Sequence, residues 1–176
     1  MLLASAGVPT PRTWVAGSAE DLIEPLRDGP VVLRSAEMSC SVGAKVLWNV
    51  DEVIDLPLPE GATLAQEVHP NDQYAHRVYR IGHQTFAVKR PCWMAFSSET
   101  REEPVPATDE MCEIADRVAS MFRSELFGLD LVGAEGRLQV VEVCPFPRLG
   151  GVPDAALRLA DYIYARGMEI AEEVRR

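Results

Sequence analysis

The chain has no paired-cysteine motif. Its four cysteines, Cys40, Cys92, Cys112 and Cys144, make neither a C-x-x-C pair nor a zinc-like spacing. That excludes a zinc-finger-type site and leaves free thiols in a reducing compartment as the expectation. Long apolar runs are missing as well, so no segment reads as a membrane span. Met1-Leu2-Leu3 lacks the basic and extended apolar regions of a secretion signal, and Pro9 and Pro11 follow closely. Positive charge is scarce: 17 Lys and Arg stand against 27 Asp and Glu, a formal net charge of −10. Such a field disfavours nucleic acid and anionic membrane as partners, and an anionic ligand would need a local basic patch. No internal repeat or low-complexity tract interrupts the 176 residues. These absences predict a cytoplasmic globular protein built on one core or on two small lobes.

What is present is a succession of short strands and helices. Residues 1–6 favour a short helix, and a helix starting at the first residue suggests a domain cut from something longer. Residues 10–16 (TPRTWVA) read as an extended edge segment. Ser18 with Asp21 predicts a capped helix to about Arg27, which Pro25 should kink or shorten. Val31–Arg34 has the apolar run of a strand buried on both faces, and a small polar loop follows to Gly43. Residues 45–50 (KVLWNV) predict a second strand, residues 51–54 a short turn or helical piece, and residues 56–61 (LPLPEG) a linker. Residues 63–68 (TLAQEV) form the next strand. Residues 77–81 and 85–90 then alternate about Gly82-His83 as a hairpin, and residues 91–106 read as a long loop. Thr108 caps a helix with an apolar stripe of Met111, Ile114, Ala115, Val118, Met121, Phe122 and Leu126. Asp154 caps the last helix, with Ala155, Leu159, Tyr162 and Ile163 facing inward as far as Gly167. The pattern is α+β with mainly antiparallel sheets, divided at the linker into a lobe of residues 1–61 and a larger one of residues 62–176.

Between these last two helices the segment GLDLVGAEGRLQVVEVCPFP predicts two strands joined by a turn, with Asp130 on one and Glu142 on the other. Glu142 and Cys144, two apart, share a face. Asp130 joins them if the connecting loop has an odd number of residues. A same-face pair of acids needs a cation between them, and Mg²⁺ bridging to substrate phosphates would serve. Taken alone, the hairpin favours reading Asp130 or Glu142 as an ordinary sheet-surface carboxylate. Arg34, Lys45, Arg77, Arg80, Lys89 and Arg90 supply local positive charge, with Arg77 and Lys89 placed to pair across the hairpin or to meet a triphosphate. His69, His76 and His83 recur every seven residues, but Pro70 and Gly82 forbid one continuous helix, so they share no metal-binding face. Cys144 has no neighbouring base and is not a candidate nucleophile.

In order along the chain, AGVPTPRTW, VVLR with its small-residue loop, TLAQEVHP, RVYRIG…FAVKR, GLDLVG…VVEVCPFP and GGVPDAALRLADYI resemble the ATP-binding part of the ATP-grasp superfamily, with a RimK-like flavour. The resemblance implies a two-lobed fold without the family's preceding domain. It implies ATP held near Arg34 and Lys45, with Glu67 and Val68 at the hinge strand and Asp72 near ribose. Arg77 and Arg90 would face the phosphates or an acyl phosphate. Asp130 and Glu142 would hold Mg²⁺, with Cys144 in the position of the third ligand. The implied reaction is a carbon–nitrogen ligation: ATP phosphorylates a small-molecule or peptide carboxylate, and an amine or thiol displaces the phosphate. The alternatives are a diverged nucleotide-binding or scaffold domain without turnover, or a small-molecule kinase on the same fold. A homo-oligomer is compatible with each.

Several residues depart from the family pattern. Arg34 replaces a lysine, Ala75 stands where an acid commonly precedes the hairpin arginine, and the loop to Gly43 has one glycine. Cys144 replaces an asparagine, and a thiol is a poor ligand for Mg²⁺. Each change weakens catalysis more than the fold.

Overall fold

The computed structural model describes residues 2–35, 45–54, 56–58, 63–68, 74–92, 102–133 and 136–175. The chain divides into two compact units: Thr10–Gln73, and Met1–Pro9 together with Tyr74–Arg176.

In the first unit β1 (Thr13–Ala16), β2 (Val31–Ser35), β3 (Lys45–Leu47) and β4 (Thr63–Glu67) form an antiparallel sheet of order β1-β4-β2-β3. Val31, Val32 and Leu33 are all buried, as their unbroken apolar run requires. Before β2, a 3₁₀ turn at Ala19–Leu22 leads into α2 (Ile23–Asp28), and α1 is Leu2–Ser5. The Asp21 carboxylate accepts the N–H groups of Gly17 and Ser18 at 2.9 Å each. Those backbone bonds hold it below the ordinary carboxylate range. Pro25 sits in the first turn of α2, where no intrahelical N–H partner is lost. Leu22, Leu26, Val31, Leu33, Leu47 and Ala65 make the unit's core. The strand expected over residues 45–50 stops at Leu47, and Val50–Val53 is a 3₁₀ turn.

The second unit holds a five-stranded antiparallel sheet of order β7-β6-β5-β8-β9: β5 (Tyr74–Ile81), β6 (Gln84–Pro91), β7 (Glu103–Val105), β8 (Leu126–Val132) and β9 (Gln139–Cys144). One face packs on α3 (Asp109–Phe122) through Val78, Ala87, Leu129, Leu131, Ile114, Ala115 and Val118. Thr108 Oγ1 accepts the Met111 N–H at 3.3 Å, the expected cap. The apolar stripe is shorter than its sequence suggests. Arg123 turns left-handed and closes α3, so Leu126 opens β8 and Phe122 is exposed.

The division of the chain differs from a boundary at residue 61. β4 is hydrogen-bonded between β1 and β2, so it belongs to the first sheet. Residues 2–9 belong to the second unit: Val8 is buried in its core, Arg117 donates to the Gly7 carbonyl, and Val140 N–H donates to the Pro9 carbonyl. The last helix, α4 (Ala155–Val174), runs through Gly167. Asp154 is left-handed with φ 53° and makes no side-chain cap, and Ile163 is exposed, which corrects both expectations there. Among the described residues no helix is long and apolar enough to cross a membrane.

Candidate functional site

The sheet face opposite α3 carries the site. Pleating puts register partners on one face. Arg77 on β5 opposes Asp130 on β8, and Asp130 opposes Glu142 on β9. The β8–β9 connection has an even six residues between Val132 and Gln139, which by parity alone would set Asp130 against Val141. A β-bulge between Asp130 and Leu131 makes Val141 the extra residue and restores Glu142 to the shared face. The two acids do share a face, but through the bulge and not through an odd loop.

Asp130 is buried, its side chain 5% exposed. Arg77 binds it bidentately, Nε to Oδ1 and Nη2 to Oδ2, both 2.6 Å. Arg90, from β6, adds Nη2 to Oδ2 at 2.6 Å. These bonds to Asp130 hold the Arg77 guanidinium above its ordinary range. Three of the four acceptor positions of the carboxylate are thereby taken. With Glu142 the cluster contains two cations and two anions, and its charges cancel.

Sequence reasoning missed the residues that finish this face. Tyr79, fully buried on β5, donates to the Arg148 carbonyl at 2.9 Å, and burial raises its phenol. The loop after β9 folds back so that Pro147 lies on Gly128: a Cβ there would come within 2.9 Å of Pro147 Cβ. Val152 from the same loop packs on Tyr79 and Val88. The one available signal was a glycine inside a strand, which marks a close approach.

Of the remaining candidates, Arg34, Lys45, Glu67, Val68 and Asp72 lie in the first unit, and Arg80 and Lys89 in the second. Arg34 and Lys45 project from opposite faces of the first sheet, since Lys45 opposes Leu33 and Arg34 is the next residue. Glu67 ends β4, and its carboxylate accepts Arg12 Nε at 3.1 Å. Val68 is buried, and its N–H donates to the Pro30 carbonyl. Asp72 and most of the loop to Gly43 lie outside the described residues. Arg80 is structural: it pairs with Asp116 on α3 and donates to the Gly82 carbonyl. Lys89 stacks on the Tyr74 ring, away from Arg77.

Among the described residues no group of three or more His, Cys, Asp or Glu is arranged to hold a metal. Asp130, Glu142 and Cys144 therefore do not form a three-ligand set. With three charge-assisted bonds from two guanidiniums on Asp130 and a soft thiol at Cys144, the arrangement does not fit a hard divalent cation.

No family model and no curated protein matches the chain. Solved structures do, and they define the class: the chain has the ATP-grasp fold, the α+β architecture of two antiparallel sheets with helices. The ATP-grasp ligase PsnB, complexed with minimal precursor, Mg and ADP, is 19% identical, matches with TM-score 0.69, and covers 93% of this chain and 55% of its own. D-alanine–D-alanine ligase from Bacillus anthracis is 17% identical with TM-score 0.71, covering 98% of this chain and 66% of its own. A RimK domain ATP-grasp protein from Sphaerobacter thermophilus is 20% identical with TM-score 0.62, over 92% and 64%. The chain thus spans between about half and two thirds of the length of these structures.

Proposed function

We propose that the chain is the ATP-handling part of a ligase that activates a small-molecule or peptide carboxylate as an acyl phosphate for attack by an amine or thiol. One observation carries this reading: on an ATP-grasp fold, Arg77 and Arg90 converge on one sheet face beside Asp130 and Glu142. Arg77 spends its fork on Asp130 and acts as a rigid cation. Arg90 gives Asp130 a single bond, so the rest of its guanidinium can hold an anionic oxygen of a phosphate or a substrate carboxylate. Its charge then stabilises the negative charge that develops on phosphoryl transfer. Tyr79 and the Pro147–Val152 loop fix the floor of the face and limit water there. Arg34 and the Glu67–Val68 strand end are the proposed nucleotide contacts of the first unit. No step is routed through a divalent cation, because Asp130 is committed to the arginines.

That commitment, with the thiol at Cys144, favours a second reading: a domain that keeps nucleotide binding and lacks turnover. Calorimetry with ATP, with and without Mg²⁺, separates the two. Binding followed by ADP formation with a carboxylate supports the ligase. Binding indifferent to Mg²⁺ and without ADP formation supports the second reading. No binding removes both. In either case Arg90→Ala should weaken ATP binding at least ~tenfold, the equivalent of one charge-assisted contact.

A further inference from the structure

Glu102, one residue before β7, adds a third acid to the site face. The register that sets Glu103 against Lys89 and Pro104 against Val88 carries on to set Glu102 against Arg90. Pleating therefore turns Glu102 to the side of Val88 and Arg90. The loop after β9 agrees: a Cβ at Gly151 would meet Val88 Cγ1 and Cγ2 at 3.1 Å and Glu102 Cβ at 3.5 Å. A Cβ at Gly150 would collide with the Glu102 carboxylate, so two successive glycines make the room in which it lies. Its charge reaches Tyr79, whose phenol is raised by burial first and by Glu102 second. Yet this partly buried carboxylate accepts no hydrogen bond and forms no ion pair among the described residues. Arg90 spends its bond on Asp130, across the small, buried Ala75, and the exposed Arg148 does not pair with Glu102. Nor does Glu102 join a group able to hold a metal. Arg77 and Arg90 balance Asp130 and Glu142, so Glu102 leaves the face one negative charge in excess. A partly desolvated carboxylate without a donor carries a cost that a cationic ligand removes.

We propose that Glu102 binds the acceptor: it holds the ammonium group of a primary-amine substrate beside Arg90 and takes its proton. This rests on the ligase reading and narrows the acceptor from an amine or thiol to an amine. Arg90, on the neighbouring strand, holds the phosphate side of the acyl phosphate, so the two side chains bracket the bond to be exchanged. The ammonium gives one proton to Glu102, and the freed lone pair forms the C–N bond to the acyl carbon. The C–O bond to phosphate breaks as it forms, and a second proton from the nitrogen leaves with the phosphate as hydrogen phosphate. The amide keeps the third hydrogen, and the charges balance. A thiol gains nothing from Glu102: the neutral form brings no charge to it, and the thiolate is repelled.

Titration of n-butylammonium chloride into the full chain with inorganic phosphate present, followed by two-dimensional amide NMR, tests it. The Gly150 and Gly151 amides should shift saturably, and n-butanol should not move them. Glu102→Gln should raise the dissociation constant at least ~tenfold, the loss of one charge-assisted contact. Gly150→Ala, whose methyl takes the place of the carboxylate, should weaken binding as well. Glu103→Gln, adjacent in sequence but on the other face, should leave it unchanged. Glu102→Gln should also melt no lower than wild type, because it breaks no bond; a purely structural acid would lower the Tm. Absence of saturable shifts, equal binding of n-butanol, or an equal loss in Glu103→Gln would each overturn the assignment. Failure of the wild type to form ADP from ATP with any carboxylate is the separate failure of the ligase reading. It would overturn the acceptor role while the ammonium contact at Glu102 stood.

Discussion

Replacing Asp130 by asparagine keeps the shape of the side chain and removes the charge that two arginines share. The amide presents N–H donors where the carboxylate accepted, so at least one guanidinium contact turns from attraction to donor–donor conflict. Removing one partner of a buried, hydrogen-bonded ion cluster costs about 3–5 kcal/mol. Arg77 and Arg90 are 23% and 25% exposed, so water and small side-chain shifts relieve part of this, leaving about 2–3 kcal/mol. For a chain of this size that is a fall in Tm of roughly 5–10 °C, followed by circular dichroism. If the two compact units melt separately, only the transition of the second unit should move. Asp116→Asn is the control. Asp116 also pairs with an arginine, Arg80, but it is exposed, and its loss should cost under ~0.5 kcal/mol. Anions supply the diagnostic: phosphate or ATP should raise the Tm of Asp130→Asn more than that of the wild type, because the arginines have lost their counter-charge. A Tm within about 2 °C of wild type, or equal anion effects on both proteins, would refute the ion-cluster account.

Gly128→Ala should destabilise the second unit by about 1–3 kcal/mol in urea titration, because its methyl meets Pro147 Cβ at 2.9 Å and the loop must lift. His76, half-buried on β5 with no hydrogen-bond partner for Nδ1 among the described residues, is held below its usual pKa by burial and then by Lys89. The unfolded chain therefore binds the proton first: stability is full above the unfolded value near 6.5 and is lost as pH falls through the window below it. His76→Gln should flatten that part of the stability–pH curve, and an unchanged slope would count against it. Cys144→Asn exchanges a soft ligand for an oxygen donor across from Gly128. It should give ATP binding a stronger Mg²⁺ dependence by calorimetry; if the dependence does not change, the thiol is not what weakens the site. Thr108→Ala should cost about 1 kcal/mol through the lost bond from Met111 N–H.

The strands were legible where composition and alternation agreed. Val31–Leu33 reads as buried and is; residues 77–81 and 85–90 read as a hairpin and are its central parts. Helix ends were less so, for local reasons. α3 closes at a left-handed Arg123, which no glycine announces, and Asp154 occupies the cap position with a left-handed backbone and no capping bond. The assignment of residues 2–9 and of β4 depends on long-range pairing, which no local pattern encodes. Ile163 is exposed because α4 is anchored through Arg158, Tyr162 and Arg166, polar-tipped residues that a hydrophobic stripe does not single out.

The acids show how far parity reasoning carries. A turn of known length should decide whether two residues on paired strands share a face, and six residues should have separated Asp130 from Glu142. One bulge reverses that outcome, and a bulge leaves little trace in a sequence of β-branched residues such as QVVEV. Sharing a face does not in turn make the acids a cation site. The charge that Asp130 needs arrives from Arg77 and Arg90, one on the adjacent strand and one on the strand beyond it, and both came from the hairpin read as phosphate-facing. The same two arginines thus answer the electrostatic problem of the acids and supply the anion-binding charge of the site. A ligand held by the remaining donors of Arg90 shares that cation with Asp130, so ligand affinity and the stability of the β5–β8 pairing are coupled through that one carboxylate.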